Sequence, residues 1–495
     1  MPVEDNAANA GLGWLRARLR SPARLLPLIV ACALFIENMD STVISTSLPA
    51  IARDLGTEPI ALKLALTTYL LSLAVFIPVS GWVADRFGAR RTFASAIFVF
   101  LLGSLACAAS GSLGTLVAAR FLQGMGGAMM VPVGRLVILR TVPKSELVQA
   151  LSWLTIPALV GPVVGPPLGG FITTWFDWRW IFLINLPMGV LGIVLGLRYI
   201  PTLREPTTAL DWRGFLLSGL GLATAMFGFS TLGRHLLPAW IAVSALVAGI
   251  ALLGGYVLHA RRSAAPLLDL DLFRLATYRC GILGGSLFRI GVGAIPFLLP
   301  LMLQLGFGLS PLQSGLLTFA SAAGSMFMKT MAARIIKRFG FRRVLLANAF
   351  VASVMLAIYG LFRPATPHLV VLAVLLVSGC FRSLQFTGLN AISYAEVDAP
   401  RLGQASSMAG MMQQLSLALG VAIGGYALEA AGWLWQRPDT DVRNFYVAFA
   451  AVALVSASSA WMMWKLPRDA GAEMAGRAKP GGEIAEPKPA QLPAT

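Results

Sequence analysis

Long apolar stretches separated by short polar gaps run through nearly the whole chain. Each stretch reaches about 20 residues, the length that an α-helix needs to cross the hydrocarbon core of a bilayer. The pattern predicts an all-α polytopic membrane protein with about 14 membrane-spanning helices. Their expected limits are 25–46, 62–84, 92–110, 114–139, 149–172, 180–200, 211–232, 238–259, 277–301, 313–336, 343–362, 368–394, 403–432 and 444–465.

Lysine and arginine are concentrated in every second gap between the predicted spans. The basic gaps hold Arg86, Arg90, Arg91, Arg140, Lys144, Arg198, Arg204, Arg261, Arg262, Arg274, Lys337, Arg338, Arg342 and Arg343, whereas the alternate gaps hold isolated Arg53, Arg179, Arg234 and Arg363. Basic loops stay on the cytoplasmic side of a membrane. We therefore expect a multi-pass protein of the bacterial inner membrane with both termini in the cytoplasm, which requires an even number of spans.

Composition supports a membrane protein and excludes several other classes. The 495 residues are 57% hydrophobic and only 12% charged, whereas soluble domains are about a quarter charged. The net charge of +17 lies in the gaps between spans, so we attribute it to topology and expect no nucleic-acid partner. The cysteines lie in apolar stretches and the histidines form no metal-spaced cluster, so no metal or cofactor is expected. The polar start of the chain and the long span after it argue against a cleaved signal peptide.

A charged loop occurs twice in the chain. Residues 85–91 read Asp-Arg-Phe-Gly-Ala-Arg-Arg and residues 337–343 read Lys-Arg-Phe-Gly-Phe-Arg-Arg, at an offset of 337 − 85 = 252. The same offset carries the first predicted span onto the ninth, so the repeat predicts two six-helix bundles. The expected parts are a cytoplasmic segment 1–24, an N-terminal bundle 25–200, a linker with two additional helices 201–275, a C-terminal bundle 276–466 and a disordered cytoplasmic tail 467–495.

Five segments carry recognisable motifs. Residues 81–91 read Gly-Trp-Val-Ala-Asp-Arg-Phe-Gly-Ala-Arg-Arg, and the others are 40–49 (Asp-Ser-Thr-Val-Ile-Ser-Thr-Ser-Leu-Pro), 120–127 (Arg-Phe-Leu-Gln-Gly-Met-Gly-Gly), 161–170 (Gly-Pro-Val-Val-Gly-Pro-Pro-Leu-Gly-Gly) and 178–187 (Trp-Arg-Trp-Ile-Phe-Leu-Ile-Asn-Leu-Pro). Over nearly the whole chain these segments resemble the major facilitator superfamily, and within it the fourteen-helix drug:proton antiporters. The resemblance implies a major facilitator fold, alternating access, and a small-molecule substrate exchanged for protons.

Two of these motifs have an expected mechanical role. In the first, glycines permit a tight turn and opposite charges can form a latch that holds one conformation; the alternative is a plain basic loop. Its residues are Gly81, Asp85, Arg86, Gly88, Arg90 and Arg91. In the second, the antiporter motif of the family, small residues at spacing four let a partner helix approach closely and prolines bend the helix. Its residues are Gly161, Pro162, Gly165, Pro166, Gly169 and Gly170.

Charged side chains inside predicted spans are candidates for proton coupling, because they are costly to bury. Glu37 and Asp40 share one face of the first span, and a carboxylate balanced between burial and a nearby cation can exchange protons in the physiological range. Asp40 matches the family acid, Glu37 is a second candidate, and a purely structural pair is the alternative. The resemblance associates Arg120 with proton coupling, and snorkelling to the interface is its alternative.

The second half of the chain also carries intramembrane charges. Subtracting the repeat offset from Arg289 gives 289 − 252 = 37, so Arg289 is the counterpart of Glu37. We hypothesise that these two residues pair across a central cavity in one state and separate in another. Arg382 has no charged counterpart and is a candidate for contact with substrate or with an acid. Other polar candidates for the substrate cavity are Tyr69, Gln123 and Gln413.

These features predict proton-coupled export of amphipathic or lipophilic, often cationic, compounds. An alternative with the same fold is export of a specific metabolite, lipid or siderophore, because a fold alone does not give the substrate. An enzyme is not expected, since the chain has no His-Glu-x-x-His, no Gly-x-Ser-x-Gly and no phosphate-binding Gly-Lys-Ser/Thr loop. Some members of the family recruit a periplasmic adaptor protein, and the sequence leaves this partner open.

Overall fold

The computed structural model describes residues 22–142, 146–204, 209–231, 238–398, 401–438, 441–472 and 474. In these ranges a long helix lies at every one of the predicted span positions. The helices are α1 Pro22–Val43, α2 Lys63–Phe87, α3 Ala89–Ala108, α4 Leu113–Thr141, α5 Leu147–Trp175, α6 Asn185–Tyr199, α7 Trp212–Thr231, α8 Ala239–Arg262, α9 Gly285–Leu301, α10 Pro311–Phe339, α11 Phe341–Tyr359, α12 His368–Ile392, α13 Leu402–Trp435 and α14 Val442–Trp464.

Short helical segments extend or connect these long helices. They are the 3₁₀ turns Ile44–Thr46, Pro59–Leu62 and Leu270–Arg274, the α-helical turns Leu48–Asp54, Trp180–Leu183 and Ala276–Arg279, and the π-helical turns Cys280–Gly284 and Met302–Gly306. Both α2 and α10 continue further than predicted, to Phe87 instead of residue 84 and to Phe339 instead of residue 336. Their last turns carry charged residues, which a criterion based on apolar runs leaves out.

Within the described ranges, 12 helices are long and apolar enough to cross a membrane. The α10 helix is not among them, although it is 29 residues long. The α5 helix is equally long and carries no charged residue, but most of its first half lies outside the residues whose side chains are described. The α10 helix carries Lys329, Arg334, Lys337 and Arg338, which lower its hydropathy. The chain is thus an α-helical polytopic protein, while a count of fourteen spans remains a prediction.

The repeated charged loop has the same backbone in both copies. The α2 helix ends at Phe87 and α3 starts at Ala89, and the glycine between them, Gly88, has φ +92°. Residues 339–341 repeat this arrangement at the offset of 252, with Gly340 at φ +80°. Only glycine adopts this region without strain, so it permits the abrupt turn between two antiparallel helices in each repeat.

The long helices pack as two groups. The α1–α6 helices contact one another, as do α9–α14, and the groups meet where α2 packs on α13 and α5 packs on α10. The additional helices α7 and α8 pack together. The α7 helix lies over the seam between α2 and α13, because Phe215 contacts Phe76 of α2 and Phe229 stacks on Tyr426 of α13.

The two ends of the chain fall largely outside the described residues. The predicted N-terminal segment lies there except for its last three residues, and so do residues 475–495 of the predicted tail. The start of that tail, residues 467–472, forms turns instead of a disordered segment. These turns pack on the bundle, because Gly471 lies against Phe341 and Ile392.

Asp211 ties the additional helices to the segment that follows them. Its carboxylate accepts hydrogen bonds from the backbone N–H of Gly214 at 2.9 Å and of Leu267 at 3.2 Å, and it contacts His259 Nε2 at 2.8 Å. Burial acts to raise the pKa of Asp211, but these hydrogen bonds outweigh it and hold the pKa below its ordinary value. The ionised carboxylate therefore fastens the start of α7, the end of α8 and the loop after α8.

Substitution of Asp211 by Ala is expected to lower the thermal stability of the detergent-solubilised protein by a few degrees, since losing a helix cap costs about 1–2 kcal/mol. A carboxyl group with a lowered folded pKa contributes stability above its unfolded pKa of about 4, and that contribution disappears as the pH falls through the folded pKa. The difference from wild type should shrink in melting curves recorded from pH 7 to below pH 4. Asp271→Ala, at an exposed position, is the control, and a difference independent of pH would contradict the assignment.

Candidate functional site

A buried ion pair joins the first and fourth helices. Arg120 Nη1 of α4 lies 2.6 Å from Asp40 Oδ2 of α1, and the two side chains are 0% and 1% exposed. Charges this deep in an apolar bundle persist only when paired and hydrogen-bonded. The structure thus brings together the two residues that the resemblance associated with proton coupling.

Amide and hydroxyl groups from three further positions complete the cluster around Asp40. Its Oδ1 accepts hydrogen bonds from Gln123 Nε2 and Asn185 Nδ2, both at 2.8 Å. The same two amides donate to Ser104 Oγ, at 2.8 Å and 3.2 Å respectively. We call Asp40, Ser104, Arg120, Gln123 and Asn185 the buried cluster. Its members come from α1, α3, α4 and α6, so it ties together most of the first half.

Packing with glycine allows this cluster to form. A Cβ at Gly103 would lie 2.5 Å from the backbone of Gln123, and a Cβ at Gly124 would lie 2.7 Å from the carbonyl of Tyr69. The helices α2, α3 and α4 are therefore close enough for short polar side chains to meet. The sequence placed Tyr69 and Gln123 in the substrate cavity, whereas the structure buries both, at 1% and 0% exposure.

One face of Arg120 rests on an aromatic ring. Its guanidinium carbon lies 4.0 Å from the ring centroid of Tyr69, a distance typical of cation–π contact. Arg120 Nε and Nη2 and the Tyr69 hydroxyl have no hydrogen-bond partner among the described residues. Buried polar atoms are seldom left without partners. Arg120 and Tyr69 therefore keep hydrogen-bond donors that are unused in this conformation.

Glu37 lies one turn before Asp40 in a different environment. The residue is partly exposed, but its Oε2 is buried and has no hydrogen-bond partner in the described part of the chain. Among the surrounding cations, Arg135 in α4 interacts most strongly with the Glu37 carboxylate. The sequence analysis assigned no role to Arg135, although it lies inside the fourth predicted span, where any charge is a candidate.

The candidates of the second half lie in α9, α12 and α13. Arg289 is 2% exposed, and its Nη2 donates to Asn390 Oδ1 at 2.8 Å. Arg382 is partly exposed and its Nη2 lies 3.3 Å from Ser325 Oγ. Gln413 is partly exposed. Between the described side chains of Glu37 and Arg289 there is no ion pair in this conformation, so their predicted pairing stays a hypothesis about another state.

The charged loop after α2 contains an ion pair within the first half. Asp85 Oδ1 accepts from Arg140 Nη1, at the end of α4, at 2.6 Å. The adjoining turn is fixed by the backbone N–H of Ala89, which donates to the Leu203 carbonyl at 3.1 Å. Both contacts hold the basic ends of α2, α4 and the segment after α6 together.

The glycines of the antiporter motif face two different helices. A Cβ at Gly165 would overlap Thr42 Oγ1, and a Cβ at Gly169 would overlap the Val43 carbonyl, so the stripe begun by Gly161 packs directly on α1. Gly170 instead faces Pro311 at the start of α10. Most of this stripe therefore contacts a helix of its own half, while Gly170 and Pro166 lie against α10 of the other half.

Side-chain contacts between the halves are found at the end opposite the basic loops. Lys63 Nζ of α2, fully buried, lies 2.9 Å from Glu429 Oε1 of α13. Gln304 Nε2 donates to the Thr46 carbonyl at 2.8 Å. Leu312 N donates to Thr174 Oγ1 at 3.3 Å. We call these contacts the outer closure. The sequence analysis missed Lys63 and Glu429, two opposite charges inside predicted spans.

The two halves diverge toward the basic end. The α2 and α13 helices run antiparallel, so Lys63 meets Gly425 and, further along, a Cβ at Gly410 would lie 3.4 Å from Ile77. Closer to the charged loop, a Cβ at Gly81 or at Gly403 would meet no atom within 4 Å. The seam that is filled at the outer closure is therefore open near the charged loop.

Two helical halves that are closed at one end and separate at the other form the architecture of a secondary transporter. Residues 30–260 and 281–492 match the family model of the Major Facilitator Superfamily. The match covers most of the sequence, so the chain belongs to this superfamily and is a transporter of its type, embedded in a lipid bilayer and acting on small molecules.

Relatives and solved structures agree with this family. The chain is 38% identical over 450 residues to the candidate multidrug resistance protein MdtD of Serratia proteamaculans, covering 89% of this chain and 93% of the relative. It is 37% identical to MdtD of Escherichia coli, covering 89% and 94%. The crystal structure of a D-xylose–proton symporter covers 90% of this chain and 98% of its own, with TM-score 0.66 and 16% identity, which shows the fold. The protein is a multi-pass bacterial membrane protein.

Proposed function

We propose that this protein is a proton-coupled antiporter that exports drugs or other toxic, amphipathic compounds across the bacterial inner membrane by alternating access. The observation that carries the proposal is the buried Asp40–Arg120 pair, one turn from the partly exposed Glu37, in a bundle open at one end. The relatives named multidrug resistance protein support the class of cargo. Two features support alternating access: the Lys63–Glu429 pair of the outer closure, and the seam between α2 and α13 that is open at the other end.

The two carboxylates have different parts in the proposed coupling. All the oxygens of Asp40 are engaged by donors, because Arg120 occupies Oδ2 while Gln123 and Asn185 occupy Oδ1. Glu37 Oε2 has no donor, which leaves a lone pair where a proton can bind. Glu37 therefore exchanges protons in this conformation, and Asp40 exchanges them only when Arg120 moves. Since α1 carries both residues, a change in charge at either one acts on the helix that packs on the antiporter motif.

The proposed orientation places the basic loops and both termini in the cytoplasm. Positive loops favour that side. The outer closure then seals the periplasmic end and the open seam faces the cytoplasm, so the described conformation is the one that receives cargo. The proposal does not require a periplasmic adaptor protein.

Transport in proteoliposomes tests the coupling. Vesicles with an acidic lumen should accumulate a fluorescent lipophilic compound through the reconstituted protein, and an ionophore that collapses the pH gradient should reduce the rate to that of protein-free vesicles. Glu37→Gln should shift or flatten the pH dependence of the rate. Arg443→Gln, at an exposed position at the start of α14, is the matched control. Accumulation that continues without any ion gradient would refute proton coupling.

The outer closure predicts a charge-swap experiment. Lys63→Glu and Glu429→Lys each place two like charges at a buried contact, so each should lower transport about tenfold or more. The double variant restores opposite charges and should recover a substantial part of the lost rate. A thiol reagent added from the outer side should label a cysteine at Thr46 faster in the single variants. Equal rates in single and double variants would show that the ion pair does not stabilise the closed end.

A further inference from the structure

The second half of the bundle lacks acidic side chains over a long part of its sequence. Residues 272–395, which include all of α9 to α12, contain no Asp or Glu. The flanking carboxylates belong to the basic end, where Asp271 pairs with Arg274 at 3.1 Å and Glu396 accepts from the Thr277 N–H at 3.2 Å. Cations in the middle of α9 to α12 therefore have no carboxylate on any of these four helices to pair with.

Three cations lie on three neighbouring helices in this region. Arg289 of α9 contacts Asn390, and its guanidinium carbon lies 5.4 Å from the ring centroid of Phe386. Arg382 is one turn before Phe386 on α12 and contacts Ser325 of α10. Lys329 lies one turn after Ser325 and is exposed. We call Arg289, Lys329 and Arg382 the cationic strip; it crosses three helices of the second half.

The Arg289 side chain is buried, and two of its hydrogen-bond donor atoms have no partner among the described residues. Its Nε and Nη1 have no hydrogen-bond partner among the described residues, although the side chain is only 2% exposed. A Cβ at Gly285 would lie 2.7 Å from Arg289 Nη1, so the glycine makes room for the guanidinium. The π-helical turn Cys280–Gly284 immediately precedes this glycine, and such turns are common at functional sites.

The carboxylates on the other helices of the bundle have other partners. On α1, Asp40 is paired with Arg120 and Glu37 interacts with the charge of Arg135; on α13, Glu429 is paired with Lys63 at the outer closure. An unpaired guanidinium in an apolar bundle favours an anion, and a carboxylate matches its two parallel N–H groups. The missing counter-charge is thus one that a bound molecule can supply.

From this arrangement we infer that the exported compounds are amphipathic organic anions whose carboxylate binds Arg289 and Arg382. The inference rests on the proposed function and changes its substrate class, since the sequence favoured cationic cargo. In this proposal the first half holds the proton-exchanging acids and the second half binds the anion. Arg289 occupies the position of the second repeat that corresponds to Glu37 in the first. The apolar part of the cargo would lie against Phe386.

The test compares three compounds that share one fluorescent ring system: anthracene-9-carboxylate, 9-(aminomethyl)anthracene and anthracene-9-carboxamide. In proteoliposomes with an acidic lumen, passive diffusion drives the carboxylic acid out of the lumen, so accumulation of the carboxylate reports transport. Wild type should accumulate the carboxylate. Arg289→Gln and Arg382→Gln should each lower that rate about tenfold or more and change the carboxamide rate less than twofold, because only the carboxylate gains a charge-assisted contact.

Binding of the same compounds to the purified protein separates this inference from the proposed function. The carboxylate should bind wild type and Arg443→Gln equally and bind Arg289→Gln more weakly, by fluorescence titration. Arginine-dependent binding without gradient-driven flux would refute proton-coupled export and leave the anion site supported. Preferential transport of the amine, or an equal loss for all three compounds in the arginine variants, would overturn the inference while export itself stands. Monodisperse elution of each variant confirms that it is folded.

Discussion

Replacing Asp40 by Asn is expected to abolish gradient-driven transport, with a loss of about a hundredfold or more. The substitution removes the charge that balances Arg120, and leaving one partner of a buried ion pair alone costs about 3–5 kcal/mol. It also removes the acid that the proposed cycle exposes when Arg120 moves. Initial rates of accumulation in proteoliposomes, normalised to the amount of folded protein, measure the effect.

A second variant separates coupling from folding in this experiment. Asp40→Asn with Arg120→Gln removes both charges, so it should restore much of the thermal stability lost in Asp40→Asn alone. Transport should remain absent, because no acid is left at that position. If the double variant transported at a rate near that of wild type, the pair would be structural and the coupling would belong to Glu37 alone.

Replacing Gly165 by Leu is expected to prevent correct folding, whereas the same change at Gly254 should be tolerated. Any side chain at Gly165 would overlap the Thr42 side chain on α1, and its Cβ would lie 3.3 Å from the backbone N of Val43, so a leucine has no room where the two helices touch. Gly254 is exposed on α8 and would meet no atom within 4 Å. Yield and melting temperature in detergent measure the contrast. Comparable yields of the two variants would contradict the packing described for the antiporter motif.

A leucine at a third glycine, Gly81 of α2, should allow folding but reduce transport. Its surroundings are empty in this conformation, so Gly81→Leu should fold with a melting temperature near that of wild type. The proposed cycle closes the seam between α2 and α13 at this end, and a leucine would then stand between the helices. Transport should therefore fall about tenfold or more. A variant with unchanged transport would show that the seam stays open throughout the cycle.

The positions and the number of long helices could be predicted from the apolar runs. The predicted ends of the helices were wrong mainly where a helix continues into charged residues, as α2 does through Asp85 and Arg86. The repeat was visible as two similar loops, and both glycines in those loops have positive φ, because an abrupt turn between antiparallel helices requires it. Local sequence decides such features, so local sequence was enough to predict them.

The partners of the intramembrane charges were only partly predictable. Asp40, Glu37 and Arg120 were singled out because a charge in a span is costly. The same rule applies to Lys63, Arg135 and Glu429, which lie within predicted spans, yet no pattern along the chain connects Lys63 with Glu429. They are 366 residues apart in sequence and 2.9 Å apart in space. Asn185 lies in the recognisable segment 178–187, but nothing in that segment showed that it would meet Asp40, and Ser104 gave no signal beyond its place in an apolar segment.

The sequence by itself determined that this is a membrane-embedded, two-fold repeated helical bundle, and it identified the residues costly enough to be functional. That information is local, because a span, a cap or a tight turn depends on neighbours along the chain. Only the tertiary structure decided which charge meets which. It placed Gln123 in the buried cluster and Tyr69 against Arg120, directed the antiporter stripe toward α1, and left Arg289 and Arg382 without a carboxylate partner in the described part of the chain. Such pairings depend on the distance between helices, which packing across the whole bundle sets.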